Sequence, residues 1–440
     1  MSSNEPIEFT GRFRLFAPAG RTLTLWLWSA LVGALAAAAT TGFRWLMREV
    51  EFLATGHAGS LVEAARSLAP WHRALVCAAG GTLAGLALAL GKRWAARGPR
   101  GDEHLDYIDA ARQGRVDLND RMTIARSVSA LLSVGTGASI GREGPMVQLS
   151  AWLAATLARV LPLEARERTT LLVAGIAAGI GSAYHAPVAG VVFVLELALG
   201  FIVPHAIAPV LIAAATASSL IYWLVEPQPL YVMAAAPQLP TSLGVALVAG
   251  LVFGAIGLAL LVLLEKARGV FARVRSLTWR LALGGLAVGL LSAGVPEVWG
   301  NGYSVVSEVL QGNSAWRWLA LVLVVKVLAT ALSSGSGAIG GVFTPSLFVG
   351  AVAGSVFAQA AALYLPVAWV GDPRVIAVIG MAAVLAAVTH APLMAIVMVL
   401  EMTNQFQLTV PTMLACGVAY AISTQLGGRP LYGNPIEAHR

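Results

Sequence analysis

The chain has 440 residues, with 29 Lys and Arg against 22 Asp and Glu, a formal net charge of +7. Hydrophobic residues make up 58% and charged residues only 12%, about half the charged share of an average soluble domain. That composition excludes a disordered chain, a nucleic-acid binder charged along its length and an ordinary cytosolic enzyme, and the basic excess reads as a membrane-topology signal.

In chain order, residues 1–21 form a polar lead-in that carries Arg12, Arg14 and Arg21. The uncharged run Thr22–Phe43 follows, long enough to span a bilayer rather than to be clipped as a signal. The arginines before it favour a cytoplasmic N-terminus. Further uncharged runs cover Ala74–Gly91, Ser127–Gly141, Thr169–Leu195, Leu197–Val225, Pro227–Leu264, Leu281–Pro296, Val327–Gly371 and Val375–Leu400. A simple spanning helix needs about 20 apolar residues, so several runs are short and Val327–Gly371 is twice too long. That run holds Gly335, Gly337, Gly340, Gly341 and Pro345, which break helices. Broken backbone at membrane depth survives only when it is buried in protein or lines a wet cavity. The runs therefore predict an all-α integral membrane protein, with tilted and broken helices around an internal site. Cys77 and Cys416 sit far apart in apolar stretches and offer neither a disulfide framework nor a metal spacing.

The proline-rich stretch 227–240 reads as a connector between a first transmembrane repeat (22–226) and a second (241–427), with a short helix and tail at 428–440. Each half carries the same signatures in the same order. Gly144-Pro145 is matched by Thr344-Pro345, and His185-Ala-Pro187 with Glu196 by His390-Ala-Pro392 with Glu401. The offsets are 345 − 145 = 200 and 392 − 187 = 205 residues. This is an internal repeat of the transporter kind, whose substrate site falls where the repeats meet; the pattern alone leaves open whether the repeat is inverted.

The two glycine-rich turns carry the chemistry. In Gly135–Pro145 and Gly335–Pro345, small residues lead to a proline near the start of an apolar helix. Free N–H groups and the positive pole of the dipole at such an end attract an anion. Two such ends converging inside the bilayer would cradle an anion without a buried cation and hold it loosely enough to move on. Either turn alone could equally be a tight helix crossing made of small residues. Glu143 stands out at the first turn. Ionised, it would occupy the cradle as a tethered anion; protonated, it could leave. Low dielectric favours its neutral form and N–H donors its charged form, so Glu143 reads as a proton-coupled gate. An ion pair with Arg142 competes poorly, because adjacent helical residues do not face each other.

Gly141-Arg-Glu-Gly-Pro145, Gly340-Gly-Val-Phe-Thr-Pro345 and Arg429-Pro-Leu-Tyr432 resemble the signatures of the CLC chloride channels and proton-chloride antiporters. Within that family the chain looks most similar to the bacterial branch labelled voltage-gated chloride channel B. The resemblance implies a CLC-like bundle with an inverted repeat, a homodimer with one anion pathway per protomer, and a place in the bacterial inner membrane with both termini cytoplasmic. It implies chloride (or other small monovalent anions) and protons as partners and membrane lipid as surroundings; no nucleic acid, cofactor or metal is expected. Position by position, Glu143 matches the external gating glutamate. Amides at Arg142, Gly144, Val342, Phe343 and Thr344 match the anion cradle, and Tyr432 the tyrosine that donates to the central anion. Arg126 matches a basic position below the gate that supplies field, not contact.

Three departures follow. The family's Gly-Ser-Gly-Ile-Pro turn is missing; counted back from Glu143, its serine becomes Asp102, whose negative charge would oppose an anion. Leu197 stands where typical transporters carry an inner proton-relay glutamate, and Glu196 lies about 100° round the helix from it. Glu196 and Glu401 are expected to help pack helices or line the subunit interface, although an intramembrane carboxylate keeps Glu196 a candidate. The chain ends eight residues after Tyr432, so no cytosolic regulatory domain is expected. The expected activity is proton-coupled chloride antiport, with a passive anion channel as the alternative that Leu197 suggests. A membrane-embedded hydrolase built on His185 and His390 fits poorly, since neither a His-Glu-x-x-His pattern nor a nucleophile elbow occurs; the chain is not expected to be an enzyme.

Overall fold

A computed structural model describes residues 19–57, 59–98, 105–200, 204–224, 229–234, 243–312 and 314–432. Asp102 and much of the lead-in, connector and tail therefore lie outside the described residues. The first half contains α1 (Ala19–Thr55), α2 (Leu61–Ser67), α3 (Pro70–Ala95), α4 (Tyr107–Arg112), α5 (Asp120–Gly135), α6 (Glu143–Val160), α7 (Ala165–Tyr184), α8 (Pro187–Phe193) and α9 (Pro204–Leu224). A π-helical turn, Val194–Leu199, extends α8. The second half contains α10 (Leu243–Ala272), α11 (Leu277–Gly294), α12 (Tyr303–Gln311), α13 (Trp316–Ser336), α14 (Phe343–Ala361), α15 (Val367–Val370), α16 (Pro373–Thr389), α17 (Pro392–Thr403) and α18 (Thr409–Gln425). The described chain has no strand beyond one isolated bridge.

Helices are the solution that satisfies every backbone group within a segment when water is excluded. Their ends follow local chemistry. Asp106, Asn119, Ser276 and Asp372 cap α4, α5, α11 and α16 through their side chains. Pro187 and Pro392 open α8 and α17, where a missing N–H costs nothing. His185 and His390 end α7 and α16 in the left-handed conformation, at φ 55° and 56°. The paired histidines are thus turn-formers, each closing its own helix.

Eight of the described helices are long and apolar enough to cross a membrane. The overlong run Val327–Gly371 is split as its glycines predict: α13 ends at Gly337 in the left-handed region, and α14 begins six residues later. Helices α7 and α16 are buried over almost their whole length and form the centre. Helices α1, α3, α9, α11 and α13 turn large apolar side chains outward, among them Leu27, Leu90, Trp223, Trp279 and Val324. An apolar outer surface around a packed interior is what lipid selects. The α3–α11 seam shows how the backbones close up. A Cβ added at Gly81 would lie 2.3 Å from the Leu281 carbonyl oxygen, and one at Gly285 only 2.2 Å from that of Cys77. Small residues let helices approach where lipid supplies no hydrophobic drive.

The two halves form an inverted repeat, in which α5–α8 correspond to α13, α14, α16 and α17. Equivalent residues meet reciprocally, as a two-fold axis between the halves requires. Gly141 and Gly341 form an antiparallel bridge, N–H to O in both directions at 2.8 and 2.9 Å. Glu196 accepts from the first amides of α17, Leu393 at 3.2 Å and Met394 at 2.7 Å. Glu401 does the same for α8, at Val188 (3.1 Å) and Ala189 (2.7 Å). Each carboxylate thus caps the helix of the opposite half. The connector is more than a link: its Tyr231 is fully buried, donates its amide to the Met402 carbonyl at 2.9 Å and stacks on Tyr303.

Candidate anion pathway

The site is assembled from the two glycine-rich turns. Gly137 and Gly337 both adopt positive φ, 102° and 92°, where a side chain would be strained. Each turn then folds back on its helix: Ala138 donates to Ser133 and Ala338 to Ser333. Ser333 Oγ also accepts from the Ser139 amide at 3.0 Å, tying the turns together. The Gly141–Gly341 bridge uses up those two amides, leaving the next residues to start α6 and α14. The N-cap residues of these helices are Arg142 and Val342, and neither supplies a side-chain cap. The first amides of both helices thus lack the usual capping oxygen, and Pro145 and Pro345 contribute no N–H.

A small cavity lies between these helix starts. Glu143, Gly144 and Val147 of α6, and Gly341 and Phe343 from the second turn, form one side of it. Ile180 and Tyr184 of α7, Phe193 of α8, Met398 of α17, Tyr107 of α4 and Tyr432 complete the wall. The centre of a water-sized sphere can move over about 10 Å³ there, the scale at which a cavity holds about one such particle. None of these lining residues is Lys or Arg. The wall therefore offers helix-start amides, aromatic hydroxyls and apolar surface, which suits a weakly held small anion.

Glu143 is buried on this wall. Its Oε1 accepts from Asn301 Nδ2 at 2.7 Å, while Oε2 is buried with no partner among the described residues. That oxygen lies 2.3 Å from where a Cβ on Gly141 would stand, so the carboxyl folds over the glycine turn. Arg44 of α1 lies within electrostatic reach of both Arg142 and Glu143, and its guanidinium donates to the Ser182 and Ala183 carbonyls at the end of α7.

Of the residues singled out from sequence, Glu143, Gly144, Phe343 and Tyr432 line one cavity. Arg142, Val342 and Thr344 sit beside it in the same turns without lining it. Arg126 is partly buried on α5 and interacts with the charge of Asp106. Glu196 faces the start of α17 instead of the cavity. The helix end that reaches the cavity at this level is that of α4, which starts at Tyr107 and is capped by Asp106. Counting back from Glu143 misses this, because it assumes the family's spacing between α4 and α5. Arg112, with its side chain almost wholly buried, was not foreseen either. It donates to the Leu197 carbonyl at 2.9 Å and to the Tyr432 carbonyl at 2.9 Å, pinning the tail tyrosine against the core.

The family model described as voltage gated chloride channel matches residues 83–424. The chain belongs to the CLC family. A chloride channel protein of Ralstonia nicotianae named as ClcB-like is 45% identical over 422 residues, 94% of this chain and 96% of the relative. The voltage-gated ClC-type chloride channel ClcB of Salmonella typhimurium is 38% identical over 420 residues, 93% of this chain and 98% of its own length. The crystal structure of a slow cyanobacterial Cl⁻/H⁺ antiporter superposes with a TM-score of 0.82 at 25% identity, covering 97% of this chain and 98% of that one. CLC proteins are chloride channels or transporters, and this membership makes the chain a chloride-transporting membrane protein rather than an enzyme.

Proposed function

We propose that this protein is a proton-coupled chloride antiporter in which Glu143 alternates between binding a proton and occupying the anion site. One observation carries the reading: the buried Glu143 carboxyl lies on the wall of the cavity where the two uncapped helix starts meet. Ionised, the carboxylate competes with chloride for helix-start amides of Gly144, Phe343 and Thr344, with Arg142 and Val342 completing the turns. Protonated, it loses its attraction to the positive helix ends and yields to the anion. Tyr432, on the same wall, offers its hydroxyl to a central anion. The likeness to the cyanobacterial antiporter supports the same mode of transport.

The second reading is a passive chloride channel, and Leu197 favours it. Its side chain is apolar and buried, and the family resemblance aligns it with the inner relay carboxylate of typical transporters. Water must then carry protons past it if antiport occurs. Under either reading the protein works as a homodimer in lipid, in a bacterial inner membrane, with both termini on the cytoplasmic side.

Reconstituted liposomes with simultaneous chloride and pH recording separate the two. Antiport predicts that a chloride gradient drives protons uphill; chloride movement without uphill proton flux identifies the channel. Replacement Glu143→Gln is expected to abolish the pH dependence of chloride flux in both cases. A variant with an unchanged pH response would remove Glu143 from the mechanism.

A further inference from the structure

Among the described residues the gate carboxyl has one hydrogen-bond partner, and it comes from the opposite repeat. Asn301 lies in the turn between α11 and α12, 158 residues from Glu143, and its Nδ2 donates to Glu143 Oε1 at 2.7 Å. The amide cannot freely flip, because its Oδ1 accepts from the Tyr303 backbone N–H at 3.2 Å. The donor face is thereby turned to the carboxyl.

The turn that presents Asn301 is itself fixed. Gly300 and Gly302 on either side have φ of 67° and 91°, a conformation that favours glycine. The ammonium of Lys326, fully buried on α13, donates to the carbonyls of Val298 (2.8 Å), Trp299 (3.4 Å) and Gly300 (2.7 Å). Trp299 is also fully buried, its ring so close to Gly137 that a Cβ there would approach it to 2.5 Å. The turn is therefore clamped both to α13 and to the glycine-rich loop that leads to Glu143. A donor held on so rigid a support loses little entropy when it binds, the arrangement expected of a positioning group.

We infer that Asn301 is a positioning residue for the gate: its Nδ2–H holds the ionised Glu143 carboxyl folded over the Gly141 turn and so sets the pH at which the gate releases. The inference rests on the reading of Glu143 as the gate. An amide donor strengthens when its acceptor carries charge, so Asn301 favours the ionised, seated form over the neutral one. The other charged and titratable groups around Glu143 are Arg142 next to it in the chain, Arg44 from α1, Tyr107 from α4, Tyr184 from α7, Tyr231 from the connector and Tyr432 from the tail. None of these groups is removed when Asn301 is replaced, and Asn301→Asp also keeps an oxygen for the Tyr303 N–H.

The test is the pH profile of chloride flux for the full-length protein in liposomes, for Asn301→Ala and Asn301→Asp, each in wild-type and Glu143→Gln backgrounds. Asn301→Ala is expected to move the midpoint upward by about one pH unit, a tenfold rise in proton affinity. Asn301→Asp sets a second carboxyl against the first and is expected to move it further the same way. In the Glu143→Gln background Asn301→Ala leaves the profile flat. Asn301→Asp is isosteric and decides the matter should the alanine variant not fold. Wild-type midpoints in both Asn301 variants, with a flat profile for Glu143→Gln alone, would overturn the inference and leave the gate reading intact. A pH response that survives Glu143→Gln would overturn both.

Discussion

Gly141→Ala probes the junction of the two repeats, and its cost can be worked from distances. The added Cβ would stand 2.8 Å from the Gly341 carbonyl oxygen and 2.3 Å from Glu143 Oε2. The carboxyl is the end of a flexible side chain and can swing aside. The carbonyl is backbone, and to reach an ordinary contact of 3.4 Å it must recede by about 0.6 Å. That movement stretches the reciprocal bonds, now 2.8 and 2.9 Å, toward about 3.5 Å, where N–H···O bonds are largely lost. Two hydrogen bonds at about 1 kcal/mol each and an overpacking cost of about 1–3 kcal/mol give a total of roughly 3–5 kcal/mol. The same clash displaces Glu143 from its seat. The variant should therefore unfold at lower temperature in detergent and show a disturbed pH profile of chloride flux. Gly42→Ala is the control, because a Cβ there meets nothing within 4 Å. Equal stability and equal pH profiles for the two variants would refute the reasoning.

Two further outcomes follow from the same geometry. Glu196→Gln and Glu401→Gln each leave one of two converging amides facing an NH₂ group instead of an oxygen; each should lower stability by about 1–2 kcal/mol, in the range of a lost helix cap, and leave the ratio of protons to chloride unchanged. A changed ratio in Glu196→Gln would return that carboxylate to the proton path. Asp372, outside the spanning segments, caps α16 and pairs with Arg374. Burial pushes its carboxyl upward, but the Arg374 side chain and backbone hydrogen bonds prevail and hold it below the ordinary carboxylate range. Its contribution is complete above the unfolded value of about 3.9 and is lost as pH falls through the depressed folded value. Asp372→Ala should therefore cost about 1 kcal/mol at neutral pH and less in strong acid, as thermal unfolding at the two pH values would show.

The parts of this architecture that were readable in sequence are those with a local signature. Run lengths, the breakers in Val327–Gly371 and the paired His-Ala-Pro turns all express backbone rules that act within a few residues. Two such turns in matching order also indicated that they meet, and the Gly141–Gly341 bridge joins them. What escaped depends on contacts across the chain. Asn301 meets Glu143 over 158 residues, and Arg112 meets Tyr432 over 320; no periodicity links such pairs. Tyr107 was missed for a different reason. Counting back from Glu143 assumes a fixed spacing, whereas α4 is placed by its Asp106 cap and by packing. The reciprocal capping by Glu196 and Glu401 was within reach, since a two-fold repeat that places a carboxylate beside the axis pairs it with the opposite half.

The competition at the heart of this account is most directly measured as chloride binding to the purified protein in detergent, by calorimetry, from mildly acid to mildly alkaline pH. If a carboxyl and a halide share one seat, wild-type affinity should rise as pH falls, while Glu143→Gln should bind chloride with an affinity that pH does not move. Identical, pH-independent binding by both proteins would contradict the account.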